Sequence, residues 1–454
     1  MKSEVKYYSI FKLACPIFFQ MLLSMCLGYI DTIMVSQYSE NAVGALGNAG
    51  QIFTFLSFAF TVIASATGVV VAQFLGAKQL NEINKIYTVA FTFNFVLSFV
   101  ISVFIVFFSS NLLRLINVPD VMMADANSYM KIVGCFIFAD AIIMIFSQIF
   151  NCNGKTKIGM FVFLGINILN AIGNYIFLFG PLAYLGLGVK GVAIATSSSR
   201  IIGIIISFIL FKKIIKGSVS IKYLFPFPRE LFIKLIKIGV PTAGENFSYN
   251  ISQIIITSFV NTLGPEAITA KVCCNSLMLF SLIYSNSMAG ATAIVTGHSV
   301  GAGDYDFAYK RVLKSLYSAI VVSIIVATLN YILSKWTVPF FSDNPKIIEI
   351  GRQIMFIGIF LEMGRCVNLV IIQNMRAAGD VVFSTLLGIG SMWGISVVFA
   401  WVLGIKFGLG LKGVWIAMAL DEIFRAIVVI IRWKLGLWKY KAVVNNDKSV
   451  GESV

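Results

Sequence analysis

The chain has 454 residues, of which 58% are hydrophobic and only 12% charged, and its mean hydropathy is +0.90. Soluble domains carry roughly 25% charged residues, so this composition excludes a water-soluble globular protein. The net charge of +15 would suggest nucleic acid in a soluble protein, but in a membrane protein its meaning lies in how it divides between the two sides.

In chain order the sequence offers twelve apolar runs, near residues 11–36, 48–75, 87–109, 130–150, 158–181 and 190–211, then 233–260, 274–299, 315–335, 353–373, 381–405 and 412–432. Each can cross a hydrocarbon core of roughly 30 Å as a helix, and the first, second and seventh are long enough to tilt or project beyond it. The predicted fold class is all-α integral membrane, with twelve transmembrane helices. The first run continues too far, and lacks the small-residue cleavage site, to be a removed leader, so it is read as the first span.

The two halves repeat each other about 225 residues apart. Pro16 of KLACPIFFQ meets Pro241 of KIGVPTAGE, Ala42 meets Ala267, Gly76-Ala77 of QFLGA meets Gly301-Ala302 of HSVGA, and Gln148 and Gly154 meet Gln373 and Gly379. GLGVKGVAIA (186–195) recurs as GLGLKGVWIA (408–417) after a loop shortens the offset by about three residues. Such duplication in an apolar chain points to a secondary transporter, whose repeats rock about a shared central site. The expected organisation is a six-helix lobe at 1–216, a basic cytoplasmic linker at 217–232 containing Pro226 and Pro228, a second six-helix lobe at 233–437, and a polar, mobile cytoplasmic tail at 438–454.

With the N-terminus inside, the inner segments hold roughly 23 of the 35 basic residues, among them Lys2, Lys6, Lys78, Lys155, Lys310, Arg311, Arg376 and the linker cluster, against about 9 outside. That excess places both termini in the cytoplasm of a cell-membrane protein. Six spans per half then make the repeats parallel, related by an axis along the membrane normal. The seven cysteines and the single His298 show no metal or CxxC spacing and are read as buried thiols and a polar helix end.

An ionisable group in hydrocarbon costs roughly 2.5–3.5 kcal/mol on insertion scales and needs a partner or a purpose. Carried across the repeat, Asp140 falls on Arg365 and Arg200 on Glu422, so the signs exchange together. Independent charges have no reason to swap in concert, whereas an ion pair survives reversal; Asp140 with Arg200, and Arg365 with Glu422, are therefore expected as structural pairs tying the fourth span to the sixth and the tenth to the twelfth. Asp421 and Arg425, at i and i+4, satisfy each other. Glu362, one turn before Arg365, is left open between structural and ion-binding roles. Asp31 and Glu245, on the first and seventh spans, have no basic residue nearby in sequence, and their repeat equivalents, Ile256 and Gln20, are uncharged. They are expected to lie unpaired in an acidic cavity that takes up a cation, with Asn170, Asn174 and Gln253 as neighbouring amide ligands or helix bridges.

The ordered motifs PIFFQMLLSMCLGYID, DTIMVSQ, AVGALG, QFLGA, LNAIGNYIFLFG, GVKGVAIAT, HSVGAGD and NMRAAGD, over the whole chain, resemble the multidrug and toxic compound extrusion (MATE) family, in particular its bacterial NorM/DinF-like members. The resemblance implies two six-helix lobes in a V around a central cavity, and export of organic cations in exchange for sodium or protons. It matches Asp31 to the family's aspartate on the first helix and Asn170 to an asparagine on the fifth. Glu245 is similar to the acid on the seventh helix but lies about one turn earlier. Asn174 stands where a proton-coupled branch has aspartate, and Glu362 approximates an acid on the tenth helix, so the coupling ion stays open.

The expected function is a secondary active multidrug exporter that needs no cofactor, works as a monomer among membrane lipids, and binds no nucleic acid. The alternatives are a flippase for lipid-linked sugars or peptidoglycan precursors, which would need a basic cavity for pyrophosphate, and an intramembrane enzyme, for which the chain has no HExxH, GxSxG or Cys–His pairing.

Overall fold

A computed structural model describes residues 8–444; Lys2, Lys6 and the tail beyond Val444 lie outside the described residues. Among these the chain is built from helices: α1 (Ile10–Tyr38), α2 (Glu40–Gly76), α3 (Leu80–Leu115), α4 (Asp120–Cys135), α5 (Phe138–Cys152), α6 (Thr156–Leu178), α7 (Val189–Leu210), α8 (Arg229–Asn261), α9 (Pro265–Gly301), α10 (Tyr305–Thr337), α11 (Pro345–Ala377), α12 (Val381–Ser391) and α13 (Gly410–Lys434). Nine of these helical segments are long and apolar enough to span a membrane, and α4 with α5, bent by 51° at their junction, is long and apolar enough only when the two are taken together. The seventh and twelfth predicted runs are α8 and α13, whose 33 and 25 residues are of spanning length but carry more charge. The chain is a multi-span membrane protein of the all-α class.

The fourth predicted span is not one helix. It breaks at Phe136–Ile137, where Ser102 of α3 donates to the freed carbonyl of Cys135 at 3.0 Å, and Asn94 of α3 adds a bond to Ala141 O, inside α5, at 2.9 Å. In hydrocarbon a backbone break persists only where such partners exist. α12 is likewise irregular, continuing as π-helical turns at Met392–Val397 and Ala400–Lys406. There Gly413 of α13 packs directly on the backbone of Leu403 and Gly404, an approach that any Cβ would block.

The helices pack as two compact units. One holds residues 19–71 and 79–240; the other holds the described residues up to 18, the segment 72–78, and those from 241 onward. α1 changes unit between Phe18 and Phe19, just after Pro16, and α8 between Val240 and Pro241. These prolines are repeat equivalents, and each removes a hydrogen bond from its helix interior. The basic segment expected as a linker is folded onto α3 in the first unit. Ser218 N donates to Asn84 Oδ1 at 2.9 Å, and Phe232 stacks on Phe93 at 4.1 Å.

In the second unit the repeat becomes visible as packing. A Cβ on Gly76 would run into the carbonyl oxygen of His298, and one on Gly301 into that of Gln73. Gly297 faces the Ala72 methyl group, where a second Cβ would not fit. Residues 72, 73 and 76 are the repeat equivalents of 297, 298 and 301, so the ends of α2 and α9 cross reciprocally on small residues, the usual means by which membrane helices approach closely. The segment after α13, expected as the start of a mobile tail, is docked here. Trp438 is fully buried and stacked on Trp433 at 4.2 Å, and Val443 N donates to Gln73 Oε1 at 2.7 Å.

Candidate functional site

Each unit contains a polar cavity among its own helices. In the first, a cavity of about 370 Å³ lies among α1, α2, α4, α6 and α7. Asp31 is half-buried on its wall. Asn174 Nδ2 donates to Asp31 Oδ1 at 3.2 Å. The hydrogen-bond pattern turns the Asn170 amide so that its nitrogen donates to Asp31 Oδ2 at 3.1 Å while its oxygen accepts from the Thr196 hydroxyl at 3.0 Å. Asn170 and Asn174 share a face because they are one helical turn apart, which allows both to reach one carboxylate. Asn174 Oδ1 is buried with no hydrogen-bond partner. The cavity therefore presents a carboxylate held by two amides and a bare carbonyl oxygen, with Tyr129 and Thr196 alongside, and no lysine or arginine among its lining residues. Three of the expected residues, Asp31, Asn170 and Asn174, are thus brought together; Tyr129 and Thr196, being uncharged and on other spans, gave no sequence signal.

The second cavity, of about 320 Å³, lies among α8, α9, α11 and α13 and is lined by Glu245, Arg365, Arg376, Glu422 and Arg425. The expectation that Glu245 lacks a basic partner is corrected here: Arg376 NH2 hydrogen-bonds its Oε2. The partner stands 131 residues away, and the sequence reading counted Arg376 among the inner-side charges. Its repeat equivalent is Asn151, so an arginine without a counterpart at the end of the tenth span was the available clue.

Asp140 and Arg200 lie 2.9 Å apart, each about a quarter exposed. In the second unit the equivalent pairing is shared. Arg365 NH1 contacts Glu362 Oε1 at 2.5 Å while its Nε is 3.7 Å from Glu422 Oε1; Arg425 meets Glu422 at 3.0 Å and Asp421 at 2.9 Å. Asn368 also donates to Glu422 Oε2 at 2.7 Å. Glu362 is 1% exposed and sits behind this network rather than on the cavity wall. Gln253 lines neither cavity. Among the described residues no cluster of His, Cys, Asp and Glu is arranged to hold a metal.

A polar cavity enclosed by membrane helices is what a membrane transporter needs to hold a solute within hydrocarbon. The MatE family model matches residues 16–176 and 241–402, two segments that begin on the equivalent prolines Pro16 and Pro241. The chain belongs to the MatE family, whose members are transporters and not enzymes. It is 39% identical over 442 residues to the uncharacterized transporter YisQ of Bacillus subtilis, covering 97% of each chain. It is 24% identical to the probable multidrug resistance protein NorM of Thermotoga maritima, covering 96% of this chain and 94% of that one. A solved MATE transporter in a bent conformation superposes with a TM-score of 0.87 at 18% identity, covering 98% of this chain and 99% of that one, and so shares the fold.

Proposed function

We propose that this transporter exports organic cations in exchange for sodium or protons, and that Asp31 is the carboxylate at which the exchange occurs. The observation that carries the reading is the hydrogen bonding of Asp31 by two amides inside a cavity without a lining base. In a low-dielectric cavity an uncompensated carboxylate attracts a proton, a metal cation or an organic cation, and only one of them at a time. Asn174 Oδ1, a buried acceptor beside it, suits a cation ligand or an ammonium donor. A membrane potential supplies roughly 2.3 kcal/mol per charge per 100 mV, which at about 120 mV drives near 100-fold accumulation per inward charge. The multidrug assignment of the Thermotoga maritima relative supports drug-like substrates.

Glu245 takes a different part in this reading. Arg376 already supplies its positive charge, so an incoming cation would have to displace a guanidinium. The flippase alternative would use the three arginines of that cavity, yet each is ion-paired to a carboxylate, leaving no net basic surface for pyrophosphate. The deciding experiment is ethidium transport in proteoliposomes under imposed sodium or proton gradients. Asp31→Asn is expected to abolish gradient-driven export at unchanged protein level; export at the wild-type rate by that variant would refute the assignment.

A further inference from the structure

On the second unit, at the end where α10 finishes and α11 and α13 begin, an open groove of about 780 Å³ runs between these three helices. Arg352 and Lys412 stand on its walls, both exposed, and neither has a carboxylate within salt-bridge distance among the described residues. Glu349 is also on the wall, where its carboxylate accepts from Gln353 at 3.4 Å, so the mouth of the groove keeps a net positive charge. Two cations left unpaired at the rim of a membrane protein need an anionic partner or water.

Below them the wall changes character. Tyr331 of α10 packs edge-on against Phe356 at 5.5 Å, and Phe356 against Phe360 at 5.8 Å. Phe356 and Phe360 are one turn apart on α11 and remain 49% and 47% exposed, so an aromatic ladder descends from the cations along the lipid-facing side. Arg352 lies seven residues into α11, about 10 Å along the axis, and immediately precedes the apolar run at 353–373. Polar charge above and a continuous apolar strip below fit one kind of molecule. We propose that this groove is a binding site for an anionic phospholipid, with the phosphate held by Arg352 and Lys412 and one acyl chain lying along Tyr331, Phe356 and Phe360. With both termini inside, this end of the helices is the outer one, so the lipid is one of the outer leaflet; the arginine fork matches phosphate geometry and the lysine adds a point charge.

The duplication supplies only part of this feature, since Lys412 has Lys190 as its repeat equivalent. The repeat equivalents of Arg352, Phe356 and Tyr331 are Asn127, Lys131 and Val106, so neither the arginine nor the aromatic ladder has a counterpart in the first half.

The test uses the full-length protein purified in detergent, stripped of lipid, and titrated with phosphatidylglycerol or phosphatidylcholine, with bound lipid counted by native mass spectrometry. At about 1 kcal/mol per basic residue, two cations are expected to favour phosphatidylglycerol by on the order of thirtyfold. Arg352→Gln with Lys412→Gln should erase that preference, and because both side chains are exposed and unpaired the helical circular dichroism should not change. Phe356→Ala should weaken long-chain phosphatidylglycerol but not its short-chain analogue. Retention of the preference in the double variant overturns the proposal, as does full competition by inorganic phosphate, which would mark a plain anion site, or displacement of the lipid by ethidium, which would mark a substrate vestibule.

Discussion

At the scale of single residues, the two halves have the same charges in opposite order but do not treat them alike. Among the described residues Asp140 and Arg200 have only each other as ion-pair partners, at 2.9 Å. Asp140→Arg is expected to cost about 2–3 kcal/mol, at or below the lower end for a buried pair because both side chains are a quarter exposed. The double reversal Asp140→Arg with Arg200→Asp should restore the yield of folded protein, judged by monodisperse elution in detergent. The same exchange in the second half should fail. Arg365→Glu would face Glu362, and Glu422→Arg would face Arg425, because each member of that pair has a second partner. Recovery of folded protein in the second double reversal would show the network to be unimportant. Glu245 and Arg376 obey the same logic: either neutralisation alone leaves a buried charge unanswered, so Glu245→Gln with Arg376→Gln is expected to be better folded than either single variant.

At the scale of helices, close approach is set by glycine. The crossing of α2 with α9 places Gly76 and Gly301 against backbone carbonyls rather than side chains, and a carbonyl held in a helix cannot move aside. Gly76→Ala and Gly301→Ala are each expected to destabilise by at least the 1–3 kcal/mol typical of overpacking, seen as a lower melting temperature in a detergent thermal-shift assay. Gly28→Ala, where a Cβ would meet open space, is the control and should leave the melting temperature nearly unchanged. A second helix-end device is the pairing of Asp380 with Arg432 at 2.6 and 3.0 Å, while the Arg432 guanidinium lies 3.8 Å from the Phe383 ring centroid. Asp380 is 3% exposed, so Arg432→Ala would strand its carboxylate and is expected to cost about 3–5 kcal/mol.

At the scale of the whole molecule, exchange through one carboxylate requires reciprocity. If sodium or protons lower the affinity for ethidium by some factor, ethidium must lower theirs by the same factor. Ethidium affinity measured in detergent across sodium concentration and pH should therefore fall as one of these cations rises, and Asp31→Asn should remove the dependence. Independence from both in the wild type would rule out competition at this site. The proposed orientation is checked separately by membrane-impermeant thiol labelling of single cysteines in a background lacking the seven native ones. A cysteine at Ser39, between α1 and α2, should react from outside the cell, and one at Lys78, between α2 and α3, only after the membrane is opened.

The all-α membrane class, the order of the apolar runs, the duplication and the exchanged pair Asp140–Arg200 were legible in the sequence, because each rests on a local pattern or on comparison of the chain with itself. A run of twenty apolar residues announces a helix without reference to any other part of the chain. The amide cradle of Asp31 was partly legible, since Asn170 and Asn174 share a helical face, but the bond from Asn174 to Asp31 joins residues 143 positions apart. The partner of Glu245 was scarcely legible, its one clue being an arginine whose repeat equivalent, Asn151, is uncharged. Arg376 looked like an ordinary inner-side charge, and only the packing of α8 beside α11 brings its guanidinium to that carboxylate. The break in the fourth span and the docking of Trp438 belong to the same class: each depends on what a neighbouring element offers to an exposed carbonyl or an apolar ring. Periodicity reports which face of a helix is apolar, while the identity of the group across the interface is decided when the helices pack.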